Sequence, residues 1–153
     1  MIKICKIFLF NFFIFFNFIS SSLSQQIVNS VGKDEPIEIF AEGGIEWDKN
    51  KKIYTARKNA EAKKGELIVN ADILEAHYDE KKENNNEIEF LKAIGNVKIN
   101  DGKTFITGGR NALYDIKKEH FIILGNNVKM TSQNDILSAN MKLEFWQNKN
   151  IAI

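Results

Sequence analysis

From Ile37 onward, apolar and polar residues alternate with a period of two. Ile37 and Ile39 flank Glu38, and Leu67, Val69, Ala71 and Ile73 fall on one side of a second run. Val97-Lys98-Ile99 and Val128-Lys129-Met130 repeat the pattern. Such spacing puts each apolar set on one face of a half-buried strand. Turn signals separate the runs: Gly43-Gly44, Asp48-Lys49-Asn50, Asn84-Asn85-Asn86, Asp101-Gly102, Gly108-Gly109 and Gly125-Asn126-Asn127. Asn100–Lys103, between two alternating runs, predicts a hairpin. Pro36 stands at the start of the first strand, where a missing N–H is tolerated. Lys49–Ala62 has some helical look, but Tyr54-Thr55 and the lack of an apolar stripe argue for extended chain. Asp79–Glu87 has no apolar residue and reads as a solvated loop.

The pattern also repeats on a longer scale. Val69–Asp79, Ile106–Asp115 and Leu137–Phe145 each carry a small-residue step followed by an aromatic: Tyr78, Tyr114 and Phe145. Gly95-Asn96-Val97-Lys98-Ile99 and Gly125-Asn126-Asn127-Val128-Lys129-Met130 precede the later two. Each unit reads as a strand pair that cannot bury its own apolar face, so stacking must supply the core. The first block has one extra residue between Ala71 and Tyr78, the mark of a β-bulge. It leaves either Ile73 or Leu74 inward, and Ile73 is the expected one.

Before residue 25 the pattern is different. Met1–Lys6 is short and basic, Ile7–Ile19 is apolar apart from Asn11 and Asn17, and Ser22 and Ser24 fit a small-x-small cleavage rule. Thirteen helical residues reach about 20 Å, short of a ~30 Å hydrocarbon core, which favours a cleaved signal over a retained anchor. The expected organisation is a signal peptide at 1–24, a flexible segment at 25–35, one all-β domain at 36–146 and a tail at 147–153. Seven of the 12 Phe and the single Cys, Cys5, fall in the signal. The remainder holds 19 basic and 20 acidic residues, without the basic surplus of a nucleic-acid binder. With no cysteine it has no disulfides, thiol chemistry or Cys-zinc sites.

Catalytic chemistry has little to work with. His77 and His120 are 43 residues apart, with no spaced carboxylate cluster, and read as surface residues. Neither a Gly-x-Ser-x-Gly elbow nor a phosphate loop occurs. Glu66, Asp72 and Glu75 alternate with apolar residues and read as outer-face carboxylates. Trp47 and Trp146 lie near the two ends of the array, as edge fillers or junction contacts. The basic pairs Lys51-Lys52, Arg57-Lys58 and Lys63-Lys64 read as a solvated face.

The order and spacing of these motifs resemble the LptA/OstA-like periplasmic lipopolysaccharide-transport family. The resemblance runs from Pro36-Ile37-Glu38-Ile39, through Leu67–Asp72, Ala93–Val97, Thr107–Asp115 and Phe121–Asn126, to Ser138–Phe145 and Trp146. One departure is visible: Lys58-Asn59 stands where the family has its first Gly-Asn turn. The resemblance implies a single V-shaped β-jellyroll with an open apolar interior, no enzymatic activity and no cofactor. It implies a periplasmic bridge that carries lipopolysaccharide, with protomers joined head to tail. The implied partners are an LptC-like inner-membrane subunit and an LptD-like outer-membrane translocon. Alone, the stripe of Ile37, Ile39, Leu67, Val69, Ile73, Val97, Ile99, Phe105, Phe121, Ile123, Val128, Met130 and Leu143 is that of a plain β core. The resemblance makes it an acyl-chain trough. A membrane-anchored LptC-like subunit is the alternative within the same machine. A closed-core chaperone or adhesin domain is the alternative outside it, and a β-helix lyase would need a longer chain.

Overall fold

The computed structural model describes residues 35–79, 87–149 and 151–153, the side chain of Ile151 excepted. The expected signal peptide, nearly all of the segment 25–35 and most of the loop Asp79–Glu87 lie outside those residues. What is described belongs to one unit, Val31–Ile153.

Eleven antiparallel strands form it: β1 (Glu38–Phe40), β2 (Ile45–Asp48), β3 (Ile53–Lys64), β4 (Leu67–Asp79), β5 (Glu87–Asn100), β6 (Thr104–Asp115), β7 (His120–Leu124), β8 (Val128–Ser132), β9 (Asp135–Ala139), β10 (Lys142–Trp146) and β11 (Ile151–Ala152). The order is β1-β3-β4-β5-β6-β7-β10-β11; β2 also lies on β3, β8 on β6, and β9 on β8. No described residue is helical, and Lys49–Ala62 is turn followed by β3.

Strands β3 to β6 have 12 to 14 residues each, about twice the usual length. They are long because each crosses a line of irregularities and continues into a second half-sheet. The register shifts between Arg57 and Ala60, between Asn70 and Ile73, and between Ile94 and Val97. Left-handed residues sit on that line: Lys58 (φ 64°), Asn59 (47°), Gly95 (76°), Asn96 (47°) and Gly108 (79°). Bulges of this kind bend and twist a strand without ending it. Gly108-Gly109, expected as a turn, is thus a step inside β6, and Gly95-Asn96 is a matching step inside β5. At Gly95 a Cβ would run into the Asp72 carboxylate, so a side chain there must displace Asp72 as well as bear the strain of a left-handed φ. The outer strands break at the same line: β1 from β2 at Gly43-Gly44, β7 from β8 at Gly125–Asn127, and β9 from β10 at Asn140-Met141.

Sheet I consists of β2, the adjoining halves of β3 to β6, β7, β10 and β11. Sheet II consists of β1, the other halves of β3 to β6, β8 and β9. Their inward residues line up in register. Ala56, Leu74, Ala93, Ala112, Ile123 and Leu143 cross sheet I. Ile39, Ala62, Val69, Ile99, Ile106, Met130 and Leu137 cross sheet II. The buried members of both rows belong to one core cluster. Packing the two sheets on each other supplies the apolar burial that one strand pair lacks. The jellyroll is not closed, because the β1/β2 edge does not pair with β9 or β11.

The C-terminal segment 147–153, expected as a tail, carries β11. Glu144 and Ile153 exchange two main-chain bonds of 2.8 and 2.9 Å. Strand β10 is therefore an interior strand between β7 and β11, not the last of the array.

Candidate functional site: the apolar interior and its two ends

Nine of the thirteen stripe residues are buried: Leu67, Val69, Val97, Ile99, Phe121, Ile123, Val128, Met130 and Leu143. Ile37 and Ile39 are half-buried against the same cluster. The other two expectations are corrected. Phe105 points outward and is 46% exposed, while Thr104 and Ile106 on either side of it are buried. The hairpin fixes this phase. Asp101 Oδ1 accepts from the amides of Lys103 (3.0 Å) and Thr104 (2.7 Å), which sets Phe105 opposite the outward Asn100. Ile73 is half-exposed, and Leu74 is fully buried in its place. The irregularity at Asp72-Ile73 shifts the alternation by one, so inward positions run Leu67, Val69, Ala71 and then Leu74, Ala76, Tyr78.

Sequence reasoning also missed inward alanines, among them Ala56, Ala62, Ala93 and Ala112. Alanine carries little apolar signal alone. Only the cross-strand register shows that each sits in a row with Leu, Ile or Val, where small beside large lets two sheets interdigitate.

Sheet I is lined by rings at its outer end. Tyr114 stacks on Phe121 with centroids 4.0 Å apart, and Phe145 lies 6.5 Å from Phe121. Burial, then the charges of Glu119 and Asp115, push the Tyr114 hydroxyl well above the ordinary tyrosine range. It stays a neutral phenol within an apolar wall.

The two ends differ. At the β2 end, Ile45 and Trp47 face inward and are about half exposed. Trp47 is nevertheless held: its Nε1–H donates to the Tyr78 hydroxyl at 2.8 Å, its ring stacks on Tyr54 at 5.5 Å, and Lys49 Nζ lies 4.4 Å over it. At the other end, a cavity of about 450 Å³ opens between β9 and β10–β11. Met130 and Leu137 of sheet II and Phe145 and Ala152 of sheet I line it, with Lys103, Thr104, Ser132, Gln133 and Asp135 among its polar residues.

His120 is not a surface residue: it is half-buried, stacked on Trp146 at 4.2 Å, with Nε2 3.2 Å from Glu144. Bonding from Lys142 Nζ (2.6 Å), then its charge and His120, hold the Glu144 carboxyl below its ordinary value against partial desolvation. His77 lies 3.8 Å from Glu75. Among the described residues no group of three or more His, Cys, Asp or Glu side chains could hold a metal. Two of the basic pairs, Lys51-Lys52 and Arg57-Lys58, form a solvated face of loose ion pairs: Lys51–Asp48 (3.2 Å), Lys52–Asp79 (3.9 Å), Arg57–Glu46 (3.8 Å) and Lys58–Glu42 (3.8 Å). Exposed pairs of this kind add little stability.

The fold is similar to that of LptH from Pseudomonas aeruginosa, described as the LptA-homologous periplasmic component of the lipopolysaccharide transport device. The TM-score is 0.67 at 13% identity, over 79% of this chain and 82% of that one. No curated protein matches the sequence. The family described as LptA/(LptD N-terminal domain) LPS transport protein matches residues 43–148, more than two-thirds of the chain. It spans both half-sheets and all four bulged strands, and the chain belongs to this lipopolysaccharide-transport family.

Proposed function

We propose that this chain is a non-catalytic periplasmic carrier that moves lipopolysaccharide from the inner to the outer membrane. The observation that carries the reading is an unclosed jellyroll with a continuous apolar interior in a chain of the transport family. Each methylene taken from water into such an interior contributes about 0.8 kcal/mol. An acyl chain crossing an aqueous compartment needs that shelter. The residues proposed to meet it are the inward rows, with Leu74 in place of Ile73 and without Phe105.

The edges β1/β2 and β9/β11, unpaired among the described residues, suit strand addition, in which main-chain bonds give affinity. Their proposed partners are a second copy of the chain, an LptC-like inner-membrane subunit and an LptD-like translocon. Export by the segment 1–24 accounts for the compartment. Depletion in the native organism tests the function: newly made lipopolysaccharide should stall at the inner membrane. Normal delivery to the outer membrane after depletion would refute it. A mature chain beginning near Gln25 by mass spectrometry supports the soluble bridge, whereas a retained Met1 end supports the anchored subunit.

A further inference from the structure

Resting on the carrier reading, we infer that an acyl chain enters the interior through the seam between β9 and β10–β11, with β9 as the wall that moves. The interior behind the seam is filled by its own side chains: Ile99, Ile106, Phe121 and Ile123 are all buried. An acyl chain can lie there only if the half-sheets part, and packed interiors yield by discrete rearrangement, not by gradual stretching.

Only one of the two ends is built to part. At the β2 end, β1 and β2 lie on the same strand, β3. There Trp47 is tied to Tyr78, Tyr54 and Lys49. At the other end the outermost strands diverge, and the cavity of about 450 Å³ between them falls in the roughly 300–1,000 Å³ range of small-ligand sites. Its walls are unequally held. Strand β10 pairs with β7 along five residues, buries Leu143 and Phe145, and is backed by the His120–Trp146 stack. Among the described residues strand β9 bonds to β8 alone, and four of its five residues are exposed. Strand β8 stays anchored through four register pairs with β6 and the buried Val128 and Met130, so the part free to swing is β9. Elements with little burial open at the lowest cost.

The lining also fits an amphiphile. Met130, Leu137 and Phe145 offer an apolar wall, while Lys103, Ser132, Gln133 and Asp135 supply polar groups where a headgroup stays hydrated. The ligand class is thus an acyl chain on a polar head.

The test is a reversible tether across the seam. Leu137→Cys and Ala152→Cys in a chain also carrying Cys5→Ser place the only two thiols on opposite walls of the cavity. A bis-maleimide with a disulfide in its spacer joins them, and reductant cuts the spacer while leaving both adducts in place. Binding of fluorescent lipopolysaccharide should fall about tenfold or more in the tethered protein, because the competent open state becomes rare, and recover on reduction. Equal binding before and after reduction would overturn the seam as the route while leaving the carrier reading intact. Absence of binding in the reduced and unmodified proteins would remove the carrier reading and this inference together.

Discussion

At the scale of single residues, the line of bulges tests how local conformation builds this fold. Lys58-Asn59 holds the same left-handed pair of conformations in β3 that Gly95-Asn96 holds in β5. The missing glycine is a departure in residue type, not in backbone shape. A non-glycine residue there carries roughly 1–2 kcal/mol of local strain, partly offset by the lower unfolded-state entropy of lysine. Lys58→Gly should therefore stabilise the protein by about 0.5–1 kcal/mol, and Gly95→Ala should destabilise it by at least ~1–2 kcal/mol, both read from denaturant midpoints. A stabilising Gly95→Ala would contradict the account. Leu74 and Ile73 give a second test. Leu74→Ala should cost about 2–5 kcal/mol, whereas Ile73→Ala, on the half-exposed side, should cost well under that. The phase of Leu67, Val69 and Ala71 was legible in simple alternation. That of Leu74 was not, because a bulge shifts the pattern without changing which residues are apolar. Phe105 misled for a related reason: two adjacent apolar residues, Phe105 and Ile106, leave a period of two undetermined, and the Asp101 side chain decides it.

At the scale of elements, strand content and the Asn100–Lys103 hairpin follow from alternation and turn chemistry alone. The lengths of the strands do not. Gly95-Asn96 and Gly108-Gly109 have the composition of turns, yet their neighbours pair across β4 to β7 so extensively that each becomes a step within one strand. The free edges were equally illegible, since β11 is too short to announce itself beyond Trp146. A proline at Leu143 would disrupt an interior strand, so it cannot report on docking. Strand β9 can. The two-residue loop Gln133-Asn134 makes Ser132 and Asp135 the pair that exchanges bonds, which turns the amides of Ile136 and Ser138 outward. Ser138→Pro should abolish strand-to-strand association in a crosslinking assay, and Ser138→Thr should do little. Full association of the proline variant would exclude β9 as a docking edge. On the β7–β10 pair, the lowered Glu144 pKa has a defined sign. Its contribution is present above the ordinary glutamate value of 4.5 and is lost as pH falls through the lower folded value. Glu144→Gln should accordingly lower stability slightly at neutral pH, leave it nearly unchanged once the native carboxyl is protonated, and so flatten the acid limb of the stability–pH curve below about pH 4.5.

At the scale of the whole molecule, two half-sheets share one interior that is full along its length and open at its ends. A carboxylate deep inside, as in Phe121→Asp, faces several kcal/mol of unpaired burial and should unfold the protein. At Leu137, which faces inward but is 46% exposed, the same charge keeps its water. Leu137→Asp should retain a β-sheet circular dichroism spectrum and lose lipid binding; retained binding would place the lipid elsewhere. The central claim, that lipid occupies the inward rows, is tested most directly by a photo-crosslinking scan in cells. A photoreactive residue at Leu74, Ile99, Ile106 or Phe121 should label with lipopolysaccharide, and one at Phe105, Lys98 or Lys129 should not. Equal labelling of both sets, or labelling of the outward set alone, would contradict it.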